Sequence, residues 1–194
     1  MFNYTEYILI FLIIIMIGKI YISSDYYNLK CVISTVDHNK YCVRETKRLK
    51  DVVDLFAHTA VNLKKLIAYL KANEMDKPPI KRLVENYNPD KIVEILPTSE
   101  YTAYAENKGE KIALCATKQR HAGKIIDQNT LMFVVLHELA HIMTVSINHT
   151  PEFWKNFKDI IGYAKKVNIY EPKDYSISNV TYCGMNIEHN PYYD

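Results

Sequence analysis

Apolar residues recur at steps of three and four along residues 45–72, which predicts a long amphipathic helix. A second amphipathic helix is predicted after Pro151, where apolar positions recur from Phe153 to Val167. The pattern differs over residues 131–143, where nearly every position is apolar apart from two His and one Glu. A helix that is apolar on nearly every side is predicted to be buried, and its polar residues therefore need partners.

Two β-hairpins are predicted from β-branched segments that flank turn-forming residues. Their strands are predicted at residues 31–36, 41–44, 101–105 and 111–116. The first turn contains His38, and the second contains Gly109, which suits a positive φ. A short helix is predicted around residues 80–87, and residues 92–96 are compatible with helix or strand. Together these elements predict an α+β fold with amphipathic helices and a small antiparallel sheet.

The N-terminal residues 2–22 predict a membrane-spanning helix, because positions 8–17 are wholly apolar and Lys19 can snorkel to the interface. Tyrosines that could anchor it at the interface are Tyr4, Tyr7, Tyr21, Tyr26 and Tyr27. A cleaved signal peptide is the alternative, but the segment lacks a basic start and a good cleavage site. We therefore predict an uncleaved anchor over residues 1–24 and one folded domain over residues 25–194.

Positive charge follows the predicted span at Lys19, Lys30 and Lys40 and is absent before it, so we expect the domain to face the cytoplasm or the corresponding interior. The four cysteines form no paired metal motif and allow two disulfides without requiring them; they are Cys31, Cys42, Cys115 and Cys183. Given the expected orientation, we predict reduced thiols that pack as small apolar groups.

The chain has a net charge of +2, from 24 Lys and Arg against 22 Asp and Glu, which gives no strong signal for nucleic-acid binding. The sequence His137-Glu138-x-x-His141 lies within the buried apolar run. Residues four apart share one face of a helix, so the two imidazoles can bind one ion. Glu138 is placed to take a proton from a zinc-bound water. We therefore predict one Zn²⁺ per chain.

A third ligand is expected just after this helix. Asn148 is a suitable C-terminal cap, and Thr150 followed by Pro151 is a suitable start for the next helix. A tight reversal between them would return His149 to the other two imidazoles, so His149 ranks first as third ligand and Glu152 second. The other histidines carry weaker expectations: His58 faces solvent, and His121 lies in a loop near the motif.

The run HELAHIMTVSINHTPEFW resembles the SprT/WLM group of zincin metallopeptidases, in particular small versions encoded by large DNA viruses. The resemblance is specific over residues 127–169 and looser over residues 34–115. It implies a zincin-like domain with His137, His141 and His149 as zinc ligands and Glu138 as general base. The chain departs from many relatives in lacking a Cys-x-x-Cys pair and in its apolar N-terminus, which favours a membrane-tethered form over a nucleic-acid-associated one.

The expected function is zinc-dependent hydrolysis of peptide bonds in a protein or peptide substrate. A strand of the hairpin over residues 101–116 could hold an extended substrate by β-augmentation. The alternative is a non-catalytic envelope or scaffold protein with a structural zinc. A structural site closes all four positions with ligands and needs no base, and the presence of Glu138 favours the enzyme. In the tail, residues 170–194, Tyr182 and His189 could reach the site, but packing on the domain is the simpler expectation.

Overall fold

The computed structural model describes residues 3–23, 29–120 and 123–194. Its helices are α1 (Tyr4–Ser23), α2 (Leu49–Asn73), α3 (Pro78–Asn86), α4 (Gln128–Met143) and α5 (Pro151–Lys166), followed by a short 3-10 turn at Pro191–Tyr193. Its strands are β1 (Leu29–Ile33), β2 (Lys40–Arg44), β3 (Ile92–Glu94), β4 (Ala103–Glu106), β5 (Lys111–Leu114), β6 (Val180–Tyr182) and β7 (Met185–Ile187). The expectations for Tyr26, Tyr27, His121 and the domain boundary at residues 24 and 25 lie outside the described residues.

Five strands form one mixed sheet in the order β1-β2-β3-β5-β4. The two predicted hairpins are present as antiparallel pairs, β1 with β2 and β4 with β5. The prediction of an antiparallel sheet is nevertheless wrong, because β3 runs parallel to both β2 and β5. The helices α2 and α3 provide the crossover that a parallel pair needs. The arrangement leaves β4 at the edge of the sheet.

The turns of both hairpins follow the sequence expectations. His38 lies in the first turn with φ 59°, and Gly109 in the second has φ 121°. A Cβ at Gly109 would come within 2.8 Å of the Asn86 backbone oxygen, so the position needs glycine for space as well as for conformation.

The long helix α2 buries a continuous apolar stripe that includes Phe56 and Leu63 and leaves His58 exposed, as predicted. Helix α4 is buried along almost its whole length, including Leu131, Leu136 and Leu139. The apolar pattern of α4 therefore identified a core helix, and the helix carries the His-Glu-x-x-His sequence into the domain interior.

All four cysteines form disulfides, so the expectation of reduced thiols is wrong. Cys31 and Cys42 are direct partners across β1 and β2, and their disulfide joins the two strands. Cys115 follows β5 and bonds Cys183, which follows β6. The second pairing depends on how the C-terminal segment packs, which sequence spacing does not reveal. Paired cysteines are typical of proteins that mature in an oxidising environment.

The N-terminal helix α1 covers most of the residues that were predicted to span a membrane. Residues Tyr4–Tyr21 have a mean hydropathy of 1.7, and by length and composition this helix is able to cross a membrane. None of this window is buried against the rest of the chain, so its apolar side chains are available to a bilayer.

Candidate metal centre

The start and the end of helix α4 are set by local hydrogen bonds. Asp127, the N-cap residue of this helix, accepts hydrogen bonds from the Thr130 backbone N–H at 3.0 Å and the Thr130 hydroxyl at 2.7 Å. The helix ends at Met143, earlier than the predicted cap at Asn148. Thr144 turns extended there, with ψ 135°, and its buried hydroxyl donates to the Ala140 carbonyl at 2.7 Å. Asn148 instead adopts φ 70° in the loop that follows.

The loop after α4 is closed by the first turn of α5, which begins as predicted with Thr150 as N-cap and Pro151 in its first turn. The Glu152 carboxylate accepts hydrogen bonds from the backbone N–H groups of Val145 and Ser146, both at 3.2 Å, and from the Ser146 hydroxyl at 2.8 Å. These bonds fold the loop back on itself. His149 thereby returns to the face of α4 that carries the other two histidines.

The structure brings His137, His141 and His149 together. The Nε2 atom of His137 lies 3.2 Å from that of His141 and 3.0 Å from that of His149, and one ligand atom from each of the three residues lies within 4.8 Å of the others. Nitrogens bound to zinc at about 2.0–2.1 Å in a tetrahedron are about 3.3 Å apart, so these spacings fit one ion. Glu152 is not part of this cluster, because its carboxylate is bonded to the loop.

All three imidazoles pack against the ring of Phe153, a fully buried residue of α5. Ring centroids are 4.9 Å apart for His137, 4.4 Å for His141 and 4.6 Å for His149. This contact restricts the orientation of all three rings. The sequence indicated Phe153 only as a core position of an amphipathic helix, and its contact with the histidines depends on how α5 packs on α4.

Burial keeps the imidazoles of His137 and His141 neutral. Removal from water lowers the pKa of His137 to about 3 and that of His141 to about 4, and neighbouring imidazoles add to both shifts. A neutral imidazole is the form that binds a metal ion. The electrostatic surroundings therefore agree with the geometry of the cluster.

Glu138 is only 7% exposed and borders the same cleft as the histidines. Burial raises the pKa of its carboxyl group to about 7, although a hydrogen bond from the Ala105 backbone opposes the shift. Val134 and Ile142, one turn before and one turn after it on α4, also border the cleft. Apolar neighbours on both sides explain why this carboxyl is poorly solvated. A carboxyl with such a pKa can accept and release a proton near neutral pH.

The cleft above the cluster has a volume of about 780 Å³. Its walls are α4, the loop at residues 146–149, the edge strand β4 and the β6–β7 hairpin. Tyr182 packs on the domain, as the simpler expectation for the tail held, because its buried hydroxyl accepts from the Cys115 N–H at 3.0 Å and donates to the Thr102 carbonyl at 3.1 Å. It also borders the cleft. His189 packs against Trp154, 5.5 Å between ring centroids, and does not border the cleft.

Comparison with known proteins identifies the family of this chain. The WLM domain profile matches residues 84–187, which is more than half of the chain, and the chain belongs to the WLM family, a family of zinc-metallopeptidase type. A protein of Acanthamoeba polyphaga mimivirus is 30% identical over 159 residues, covering 80% of each chain. A protein of Invertebrate iridescent virus 3 is 36% identical over 99 residues, covering 51% of this chain and 57% of its own. The crystal structure of S. pombe Wss1 aligns with 67% of this chain and 99% of its own at 19% identity and a TM-score of 0.41.

Proposed function

We propose that this protein is a membrane-tethered, zinc-dependent metallopeptidase of the His-Glu-x-x-His type that hydrolyses peptide bonds in protein substrates. The observation that carries the proposal is the cluster of three imidazole nitrogens at zinc-ligand spacing, with a buried carboxyl beside it in an open cleft. Membership of the WLM family supports a metallopeptidase, and the small viral relatives support a viral type of WLM protein.

His137, His141 and His149 would hold the ion through their ring nitrogens. A zinc ion bound there supplies a Lewis acid that acidifies water and polarises a substrate carbonyl. Glu138 accepts the proton from the attacking water and returns it to the leaving amine, for which a pKa near 7 is suited. Phe153 keeps the imidazoles in place, and the apolar residues beside Glu138 limit its contact with solvent.

The edge strand β4 supports the binding of an extended peptide. One side of β4 pairs with β5, and residues 101–105 form a wall of the cleft. A substrate strand can therefore be added beside β4 by backbone hydrogen bonds, which places a peptide bond near the histidine cluster. This mode of binding is largely independent of side chains, so sequence preference has to come from the other walls.

The membrane tether is proposed from α1, whose Tyr4–Tyr21 window is long and apolar enough to span a bilayer. A tether would restrict the enzyme to substrates near a membrane surface. The charge pattern after α1 favours an interior-facing domain, whereas the two disulfides favour an oxidising compartment.

The proposal is tested with three single variants of the full-length protein, each measured for zinc content and for peptide cleavage. Glu138→Gln preserves shape and removes the base, so zinc should stay bound while turnover falls by about 10²–10⁴-fold. His149→Ala should lower both zinc affinity and turnover, because catalytic zinc usually has three protein ligands. His58→Ala is the matched control, since His58 is an exposed histidine on α2.

Two outcomes would contradict the proposal. Full cleavage by Glu138→Gln would remove Glu138 from the mechanism even if zinc is bound. Stoichiometric zinc with no cleavage of any peptide by the wild type would favour the non-catalytic alternative, in which the ion is structural. Over the ranges that the structure describes, the metal-binding cluster holds three residues and not the four of a closed structural site, which supports the enzyme.

A further inference from the structure

We infer that the β6–β7 hairpin determines the substrate specificity of the cleft, and that Met185 and Ile187 select a bulky apolar side chain next to the scissile bond. This inference rests on the proposed peptidase function and specifies its substrate class. Both side chains come from β7 and border the same cleft as the histidine cluster and the edge strand.

The hairpin is held firmly enough to act as a fixed wall. The disulfide between Cys183 and Cys115 anchors the turn of the hairpin to the segment after β5. The N–H of Cys183 donates to the Thr117 carbonyl at 3.0 Å, and the N–H of Gly184 donates to the Lys118 carbonyl at 2.8 Å. A binding wall on a rigid element discriminates better than one on a loose loop.

Met185 is 54% exposed. A single exposed apolar side chain is ordinary, whereas one that belongs to an apolar patch often marks a binding site. Met185 is not alone, because the partly buried Ile187 on the same strand and Val134 on α4 border the same cleft. On the loop side, Ile147 is 80% exposed and borders the cleft as well. A substrate side chain entering here meets apolar surface, and methionine adapts to several apolar shapes.

The charges around the cleft support the same substrate class. Lys108 is the one Lys or Arg side chain among the described residues that line the cleft. Its ammonium group lies 3.3 Å from the Thr144 carbonyl oxygen and 3.4 Å from the Val145 carbonyl oxygen. The one Asp or Glu side chain among them is Glu138, which the proposed reaction uses as its base. Lys108 follows the Glu106 end of β4, whereas the β6–β7 hairpin is bonded through Tyr182 to Thr102, just before the other end of this strand. A charged substrate side chain placed against Met185 and Ile187 would therefore lose water without meeting a partner of opposite charge at the hairpin, which costs free energy.

The experiment compares short fluorogenic peptides that differ at one position, which carries Leu, Phe, Ala, Asp or Lys, scanned on both sides of the scissile bond. One additional methylene in an apolar pocket is worth about 10-fold or more in kcat/KM, so Leu and Phe should exceed Ala by at least that factor at one position, and Asp and Lys should be poorest. Met185→Ala should reduce this preference, and Met185→Lys should lower cleavage of the Leu peptide by about 10-fold while raising that of the Asp peptide.

Ile177→Lys is the matched control, because Ile177 is 84% exposed on the same C-terminal segment and does not border the cleft. The same peptides are also measured by binding to the Glu138→Gln protein, with and without Met185→Lys, so that specificity is tested apart from turnover. Apolar preference in binding without any cleavage by the wild type would overturn the peptidase function and keep the hairpin inference. Cleavage or binding without apolar preference, or a preference that Met185→Lys leaves unchanged, would overturn the inference.

Discussion

The disulfide between Cys115 and Cys183 should stabilise the fold and also hold the β6–β7 wall of the cleft in place, on which the preference among peptides should depend. It closes a sequence separation of 68 residues, for which the loss of chain entropy in the unfolded state predicts about 4 kcal/mol of stability. The other disulfide, Cys31 to Cys42, closes 11 residues and predicts about 3 kcal/mol. The two therefore contribute similarly to stability but lie at different places in the fold.

Their positions make them a matched pair for one experiment. The strands β1 and β4 are at opposite edges of the five-stranded sheet, so the Cys31–Cys42 disulfide is far from the cleft wall formed by β4. The Cys115–Cys183 disulfide holds the β6–β7 hairpin that forms another wall of the cleft. Replacing either pair by alanines should lower the free energy of unfolding, whereas only loss of Cys115–Cys183 should change the preference among peptides.

The assay is urea unfolding of the full-length protein in mild detergent, followed by the fluorescence of its single tryptophan, Trp154. This residue reports on the site, because its ring centroid is 5.8 Å from that of His149. Peptide selectivity of each double variant is measured in native buffer, and again for the wild type after treatment with dithiothreitol. Equal changes in selectivity for the two double variants, or four alkylatable thiols in the protein as isolated, would refute the reasoning.

Two further predictions concern the loop and the membrane. Glu152→Ala should weaken zinc binding by about 10–100-fold, the usual effect of removing a group that orients a ligand. Glu152→Gln should retain part of the affinity, because its amide oxygen can still accept from the N–H groups of Val145 and Ser146. Equal zinc affinity in the wild type and Glu152→Ala would show that His149 needs no such support. Full-length protein should remain with membranes after an alkaline carbonate wash, and its release would contradict the span at α1. Protease digestion of sealed vesicles then gives the orientation. Protection of the domain inside an oxidising lumen would overturn the prediction, made from the charge pattern, that the domain faces the cytoplasm or the corresponding interior.

The parts of the site that the sequence predicts are those whose geometry is set within a few residues. His137 and His141 share a helical face whatever the rest of the chain does, and their apolar neighbours indicate burial. Thr150 predicts a helix start because N-capping depends on bonds to residues two or three further on, here the bond from the Phe153 N–H to the Thr150 hydroxyl. The end of α4 was harder to predict, since Thr144 ends the helix with the help of Asn156, which donates to the Thr144 hydroxyl at 2.9 Å from another helix.

The parts that the sequence does not predict depend on contacts between distant segments. The strand β3 is short, and its parallel pairing arises only when α2 and α3 return the chain to β2. The Cys115–Cys183 disulfide likewise requires the tail to cross the end of β5. The tail has no helical period, and the sequence predicts only that it packs on the domain. It does pack there through the buried Tyr182, and it also provides Tyr182 and Met185 to the cleft.

Local contacts position the histidines and Glu138, whereas distant contacts position the walls of the cleft. The histidines and Glu138 lie within 13 consecutive positions, residues 137–149, so the groups that we propose to react are brought together by one helix and one closed loop. The cleft walls that would contact substrate side chains come from β4 and from the β6–β7 hairpin, which are far apart in the sequence. The Tyr182 hydroxyl bonds the hairpin to the start of β4, and the Cys115–Cys183 disulfide bonds the hairpin to the segment after β5. Substitutions in these walls should therefore alter substrate preference without moving the histidines. The proposed metal-binding segment should tolerate little change, because Phe153 packs against all three rings.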